Sequence, residues 1–204
     1  MATLVTDPFI EDQIRAERAR CGGDRYDEVW EGTYMMTPLA NLEHQHLVIG
    51  LTAALYDTLT SAGLGMAYPG ANVSDRETGW EKNYRCPDVV AVLNGSIAKP
   101  CDTHFSGGPD FLIEIVSPDD RSRAKLAFYG RIGVRELLIV DRDPWSLELY
   151  ELQGDQLELS GRADLSNLAV LKSNVVRLSF RLVAGATRPQ IEVLRLDSNG
   201  RWII

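Results

Sequence analysis

Two neighbouring stretches, Arg85 to Leu93 (RCPDVVAVL) and Pro109 to Pro118 (PDFLIEIVSP), decide how this 204-residue chain is read. In the first, Asp88 precedes Val89, Val90 and Val92. In the second, Glu114 is wedged between Leu112-Ile113 and Ile115-Val116. Runs this apolar read as strands buried on both faces. A charge buried there is unfavourable by several kcal/mol unless it is paired or bound to a cation. Two such acids on consecutive strands therefore point to a shared cation or a catalytic site.

Outward from these strands, the chain divides into elements of both kinds. Asp7 to Arg20 carries Pro8 just after an acid and reads as a capped amphipathic helix stopped by Cys21-Gly22-Gly23. Tyr26 to Met36 alternates as strands turning near Glu31-Gly32, and Asn41 to Leu59 repeats its apolar residues at helical spacing. Ser61 to Gly70 is Gly-rich and Ala71 to Asn83 polar, so both are expected to be irregular. Asn94 to Gly108 is expected to be a polar flap. Asp119 to Ile132 reads as a helix with a basic face, Glu136 to Asp141 (ELLIVD) as a third apolar strand, and Ser146 to Leu159 as a hairpin across Gly154-Asp155. A strand over Val175 to Leu182 and a hairpin over Gln190 to Ile204 complete the pattern. The order predicts one α/β domain over residues 1–204, a central mixed β-sheet flanked by helices.

Composition narrows the function. Hydrophobic content of 45% and charged content of 25% are those of a globular protein. No apolar run approaches the roughly 20 residues that span a bilayer, and the first residues are too charged for a signal peptide. The expected location is cytoplasmic, with no membrane partner. The cysteines Cys21, Cys86 and Cys101 are odd in number and lack zinc-motif spacing, which argues against both a disulfide framework and a thiolate metal site. A net charge of −8 argues against nucleic-acid binding through a broad basic surface, yet leaves room for a metal-filled acidic site.

Asp88 and Glu114 offer hard oxygen ligands that suit Mg2+ or Mn2+, and Lys125 follows on the next helix. A metal held by two carboxylates activates water and neutralises charge on a phosphodiester, while an ammonium orients that water or stabilises the developing charge. Each residue also has a plainer role open to it. Asp88 suits a strand-edge turn, Glu114 a buried ion pair, Lys125 a solvated helix face and Tyr129 a core aromatic. Arg121, Arg123, Arg131 and Arg135 suit either a phosphate backbone or solvent. His44 and His46, two apart on a helix, point apart and do not make a two-histidine metal site. Asp141 fits a turn.

Pro87-Asp88, Phe111 to Pro118 (FLIEIVSP), Lys125 with Tyr129 (KLAFY), Gly133-Val134 and Glu136 to Asp141 resemble the Uma-two family of "putative restriction endonucleases", within the PD-(D/E)XK nuclease superfamily. The resemblance runs from His44-Gln45 to the hairpin near Tyr150. It implies a restriction-endonuclease-like core and a Mg2+- or Mn2+-dependent endonuclease, with nucleic acid, above all DNA, as the partner. It also implies that Asp88 and Glu114 bind the metal. In the superfamily the lysine stands two residues after the second acid; here that position is Val116, and the family's lysine maps to Lys125. Superfamily members often add an acid from the first core helix, which maps to Glu43. A homodimer would let such an enzyme cut two strands, and Trp202-Ile203-Ile204 is a candidate interface. The alternatives are a catalytically inactive module that binds nucleic acid or protein on the same fold, and a hydrolase of small phosphate esters.

Overall fold

The apolar run around Glu114 folds as the strand Phe111–Ile115, buried at all five positions. It lies inside a six-stranded sheet ordered Gln156–Asp164, Trp145–Gln153, Glu136–Arg142, Phe111–Ile115, Val89–Leu93, Gly65–Pro69. The pair formed by Phe111–Ile115 and Glu136–Arg142 is parallel and its neighbours are antiparallel, so the sheet is mixed as expected. This is a computed structural model, and it describes residues 3–5, 7–37, 40–117 and 121–204.

The two faces of this sheet bury different partners. Phe111, Ile113 and Ile115 face Leu47, Leu51 and Leu55 of the helix Leu42–Leu55, together with Phe180 and Val193 from a four-stranded C-terminal sheet. Leu112 faces the other way, towards Leu137, Ile139, Phe128 and Tyr129. Helical spacing at Leu47, Leu51 and Leu55 makes one apolar stripe, which is why this helix docks flat on the sheet. The last turn continues as a π-helical segment, Tyr56–Thr60. Ile204 is buried against Gly50 of the same helix, so the chain end packs on its own domain while Ile203 stays exposed.

A second, seven-stranded sheet holds the hairpin Glu28–Trp30 and Thr33–Met36, joined through Glu31 and Gly32 at positive φ. Two-residue turns with both centres left-handed match the twist of a hairpin. Asp27, just before it, is 2% exposed and receives Arg18 from the helix Pro8–Cys21 at 2.7 Å, the Tyr34 hydroxyl, and the Thr37 N–H at 2.7 Å. The hairpin is thereby tied to the first helix.

Several expectations change. The stretch from Ser61 to Asn83 is not irregular throughout, because Gly65–Pro69 forms an edge strand and Asn72–Ser74 joins the second sheet. Gly65 reads as a breaker in sequence, yet a Cβ there would lie 2.3 Å from the Val92 carbonyl oxygen; the strands approach too closely for a side chain. The expected flap carries strands Lys99–Pro100 and His104–Ser106, the latter pairing with Asn72–Ser74. With Trp80 stacked on His104 and Phe105 packed on Tyr68, that segment belongs to the sheet. The helix expected over Asp119 to Ile132 is a 3-10 turn, Ser122–Lys125, followed by a short helix, Leu126–Arg131; Asp119 and Asp120 lie outside the described residues. Its basic face is mostly ion-paired: Arg123 with Glu148 and Asp141, Arg131 with Glu31, and nearby Arg135 with Asp110.

Candidate active site

Strand register brings the two acids together. Ala91 pairs with Phe111 and Val89 with Ile113, so one further step along the antiparallel ladder sets Asp88, the residue before its strand, opposite Glu114. Alternation places both on the face of Val90 and Leu112. Directly opposed residues have Cβ atoms about 4.5–5.5 Å apart, where like charges repel.

Each acid is held in one orientation. Asp88 Oδ2 accepts the Ile115 backbone N–H at 2.7 Å, and Oδ1 lies 2.7 Å from His44 Nε2. His44 Nδ1 lies 3.3 Å from Ser117 Oγ. The histidine sits in the first turn of its helix, where Asn41 caps its backbone N–H at 2.9 Å. Glu114 is 3% exposed. Lys125 Nζ donates to its Oε1 and Oε2 at 3.0 and 3.1 Å, and the Tyr129 hydroxyl donates to Oε1 at 2.6 Å. The 3-10 turn delivers Lys125 at the end of a short connection, and Tyr129, four residues on, shares its helix face.

A third carboxylate joins the cluster. Glu28 is 4% exposed, and its Oε1 lies 2.8 Å from Lys125 Nζ. The Cys86 N–H donates to that oxygen at 2.8 Å, and Trp30 Nε1 donates to Oε2 at 2.6 Å. Sequence reasoning missed Glu28. The available signal was an acid two residues before Trp30 on one strand, so that both side chains share a face; nothing local says which face turns inward.

Burial is the main reason the Glu114 pKa rises, to about 8; Lys125 pulls it down, whereas Asp88 and Glu28 push it up. Burial likewise pushes the Tyr129 hydroxyl and the Cys86 thiol well above their ordinary values. Among the described residues, Glu28 and Glu114 thus share the Lys125 ammonium, with Asp88 close enough to Glu114 to raise its pKa. Tyr129 is both the core aromatic expected and a donor to the site.

The remaining candidates lie elsewhere. Glu43 does not join the cluster as expected but meets Arg142 Nη1 and Arg188 Nε, each at 3.2 Å; its neighbour His44 is the residue of that turn that reaches Asp88. Val116, on Glu114's face, packs against the apolar cluster. Asp141 takes the Asp143 N–H at 3.3 Å, as a turn residue does. Among the described residues no helix is long and apolar enough to cross a membrane.

No curated protein matches this chain. Among solved structures it is similar to a "putative nuclease belonging to DUF820" from Anabaena variabilis ATCC 29413, with 17% identity over 65% of this chain and 75% of that one and a TM-score of 0.53. This likeness establishes a restriction-endonuclease-like fold. Residues 18–184 match the model of the Uma2 family, described as "Putative restriction endonuclease", and the chain belongs to that family.

Proposed function

We propose that the protein is a cytoplasmic, divalent-metal-dependent endonuclease that hydrolyses phosphodiester bonds in DNA, with Asp88 and Glu114 holding Mg2+ or Mn2+ and Lys125 acting beside them. What carries this is the meeting of one ammonium with a buried carboxylate that stands opposite a second: Lys125 Nζ lies 3.0 Å from Glu114 Oε1, and the ladder sets Asp88 across from Glu114.

The donor set fits such a cation. After burial, Asp88 and Glu28 both push the Glu114 pKa up, and a divalent ion offsets that negative charge. Among the described residues no three His, Cys, Asp or Glu side chains form a metal cage. Mg2+ requires none, since it keeps several waters and takes one or two carboxylates. When bound, the ion lowers the pKa of a water and neutralises charge on the phosphate. The protein's groups do the rest. The Ile115 N–H and His44 aim the Asp88 carboxylate, Tyr129 holds Glu114 Oε1, and Lys125 donates hydrogen bonds to the attacking water or the developing charge. Glu28 keeps the ammonium beside Glu114.

One observation favours a second reading, a module that binds nucleic acid or protein without cutting. Both Glu114 oxygens already accept from Lys125, and Oε1 also accepts from Tyr129, so the protein's own donors serve this carboxylate without a cation. Calorimetry of Mn2+ into the protein and into Asp88→Asn, followed by plasmid cleavage, separates the two. Binding lost in Asp88→Asn and cleavage lost in Glu114→Gln are expected. Equal binding by both proteins, or none by either, together with an intact plasmid, selects the non-catalytic module.

A further inference from the structure

Glu28, His44, Glu114 and Lys125 are all less than a tenth exposed, and they line the deep end of a cleft of about 550 Å3. The other walls have a different character. Val48 and Ile49 come from the helix, Tyr26, Trp30 and Met35 from the hairpin region, and Pro69 from the edge strand. Glu28 and Trp30, two apart on one strand, face the same space. The Tyr26 ring lies against Gly70, where a Cβ would stand 2.9 Å from Cε1, so glycine leaves the room that seats the ring. Exposed Arg25 and Arg121 lie at the mouth, and neither forms an ion pair among the described residues. The Arg25 guanidinium lies 5.6 Å over the Tyr26 ring.

We propose that this cleft takes one unpaired nucleotide of a DNA strand, its base against Tyr26, Trp30 and Ile49 and its phosphate at the Glu114–Lys125 end, so that single-stranded or locally unpaired DNA is the substrate and intact duplex is not. This rests on the nuclease reading above and names its substrate class. Three considerations lead there. The volume falls in the range of about 300–1,000 Å3 that encloses a small ligand, the scale of one nucleotide. Aromatic walls suit the π-face that every base exposes once unstacked, whereas duplex DNA hides those faces and offers phosphates that gain nothing from Val48, Ile49 or Pro69. Duplex binding also draws on many cations to neutralise closely spaced phosphates. This chain carries a net charge of −8, and Arg123, Arg131 and Arg135 are committed to carboxylates.

The test uses a labelled mixed-sequence oligodeoxynucleotide in three forms: single-stranded, fully annealed, and annealed with a central unpaired loop, each with Mn2+ and with Mg2+. Because extruding a paired base is costly, cleavage of the single strand and of the loop is expected to exceed that of the duplex by about ten-fold or more. Tyr26→Ala and Ile49→Ala are expected to raise KM on the single strand several-fold with little change in kcat, while Mn2+ affinity by calorimetry stays that of the parent. Duplex cut as fast as single strand, or cuts in the looped substrate falling outside the loop, overturns this inference and leaves the nuclease reading standing. An unchanged KM in both variants overturns it too. Cleavage of none of the three with either metal overturns both.

Discussion

Replacing Lys125 with methionine isolates the electrostatics of the pocket. The ammonium lies 2.8 Å from Glu28 Oε1 and 3.0 and 3.1 Å from the Glu114 oxygens. The residue is 9% exposed, so water does little to replace it. Removing one partner of a buried ion pair destabilises by about 3–5 kcal/mol. Glu114 moderates that loss around neutral pH because it already holds a proton there. Its folded pKa, about 8, exceeds that of an ordinary carboxylate, so the folded state holds a proton that the unfolded chain has released. The associated stability is complete below the unfolded pKa and is lost as pH rises through the folded one. In Lys125→Met the pull that lowers Glu114 is gone, its pKa climbs further, and the variant keeps losing stability where the parent has levelled off. The difference between the two is therefore expected near the lower end of that range around neutral pH. Above about pH 8 it should grow by up to roughly 1.4 kcal/mol per pH unit. Urea unfolding followed by tryptophan fluorescence, in EDTA from about pH 6 to about pH 9, measures it. Lys125→Met combined with Glu114→Gln removes the stranded carboxylate and should recover part of the loss and flatten the profile. A destabilisation under about 1 kcal/mol, or a difference that does not change with pH, would refute the claim that Lys125 neutralises a buried Glu114.

Tyr129→Phe deletes a fully buried hydroxyl that donates to Glu114 at 2.6 Å, and a hydrogen bond to a charged group is worth about 1.5–3 kcal/mol. That loss should appear in urea unfolding above pH 8, and a neutral result would mean the hydroxyl is solvated. Gly65→Ala must push the edge strand away from the Val92 carbonyl, so a loss of about 1–3 kcal/mol is expected by thermal unfolding. An unshifted midpoint would show that the edge yields freely. Glu43→Gln breaks ion pairs to Arg142 and Arg188 at a half-exposed carboxylate, a change of about 0.2–1 kcal/mol in stability. Its Mn2+ affinity should stay within about two-fold of the parent; a ten-fold loss would return Glu43 to the metal.

Metal titration offers an independent check on the same pocket. Mn2+ at millimolar concentration should raise the thermal midpoint of the parent more at pH 8 than at pH 6, since the ion competes with the proton that Glu114 holds at the lower pH. A pH-independent shift would mean that the ion binds away from Glu114.

Much of this protein can be read along the chain because its causes are local. Asp7-Pro8 and Gly22 mark the ends of the first helix through capping geometry, Glu31-Gly32 turn a hairpin through positive φ, and the unbroken apolar run at Phe111–Ile115 needs burial on both faces. Asp88 and Glu114 stand out in sequence for the same reason, as charges where charge is unfavourable. What stays hidden depends on approach between distant residues. Gly65–Pro69 looks like a loop until Val92 lies against Gly65, and the segment from Asn94 to Gly108 looks like a lid until Asn72–Ser74 pairs with it. Glu28 is separated from Lys125 by almost half the chain, and alternation alone leaves both faces of its strand equally open. His44 and Glu43 are neighbours of similar polarity, and only the packing of their helix on the sheet turns the histidine to Asp88 and the glutamate to two arginines. Local chemistry sets which elements form and which residues are costly to bury; the site depends on which of those residues the three sheets and one helix bring within hydrogen-bonding reach.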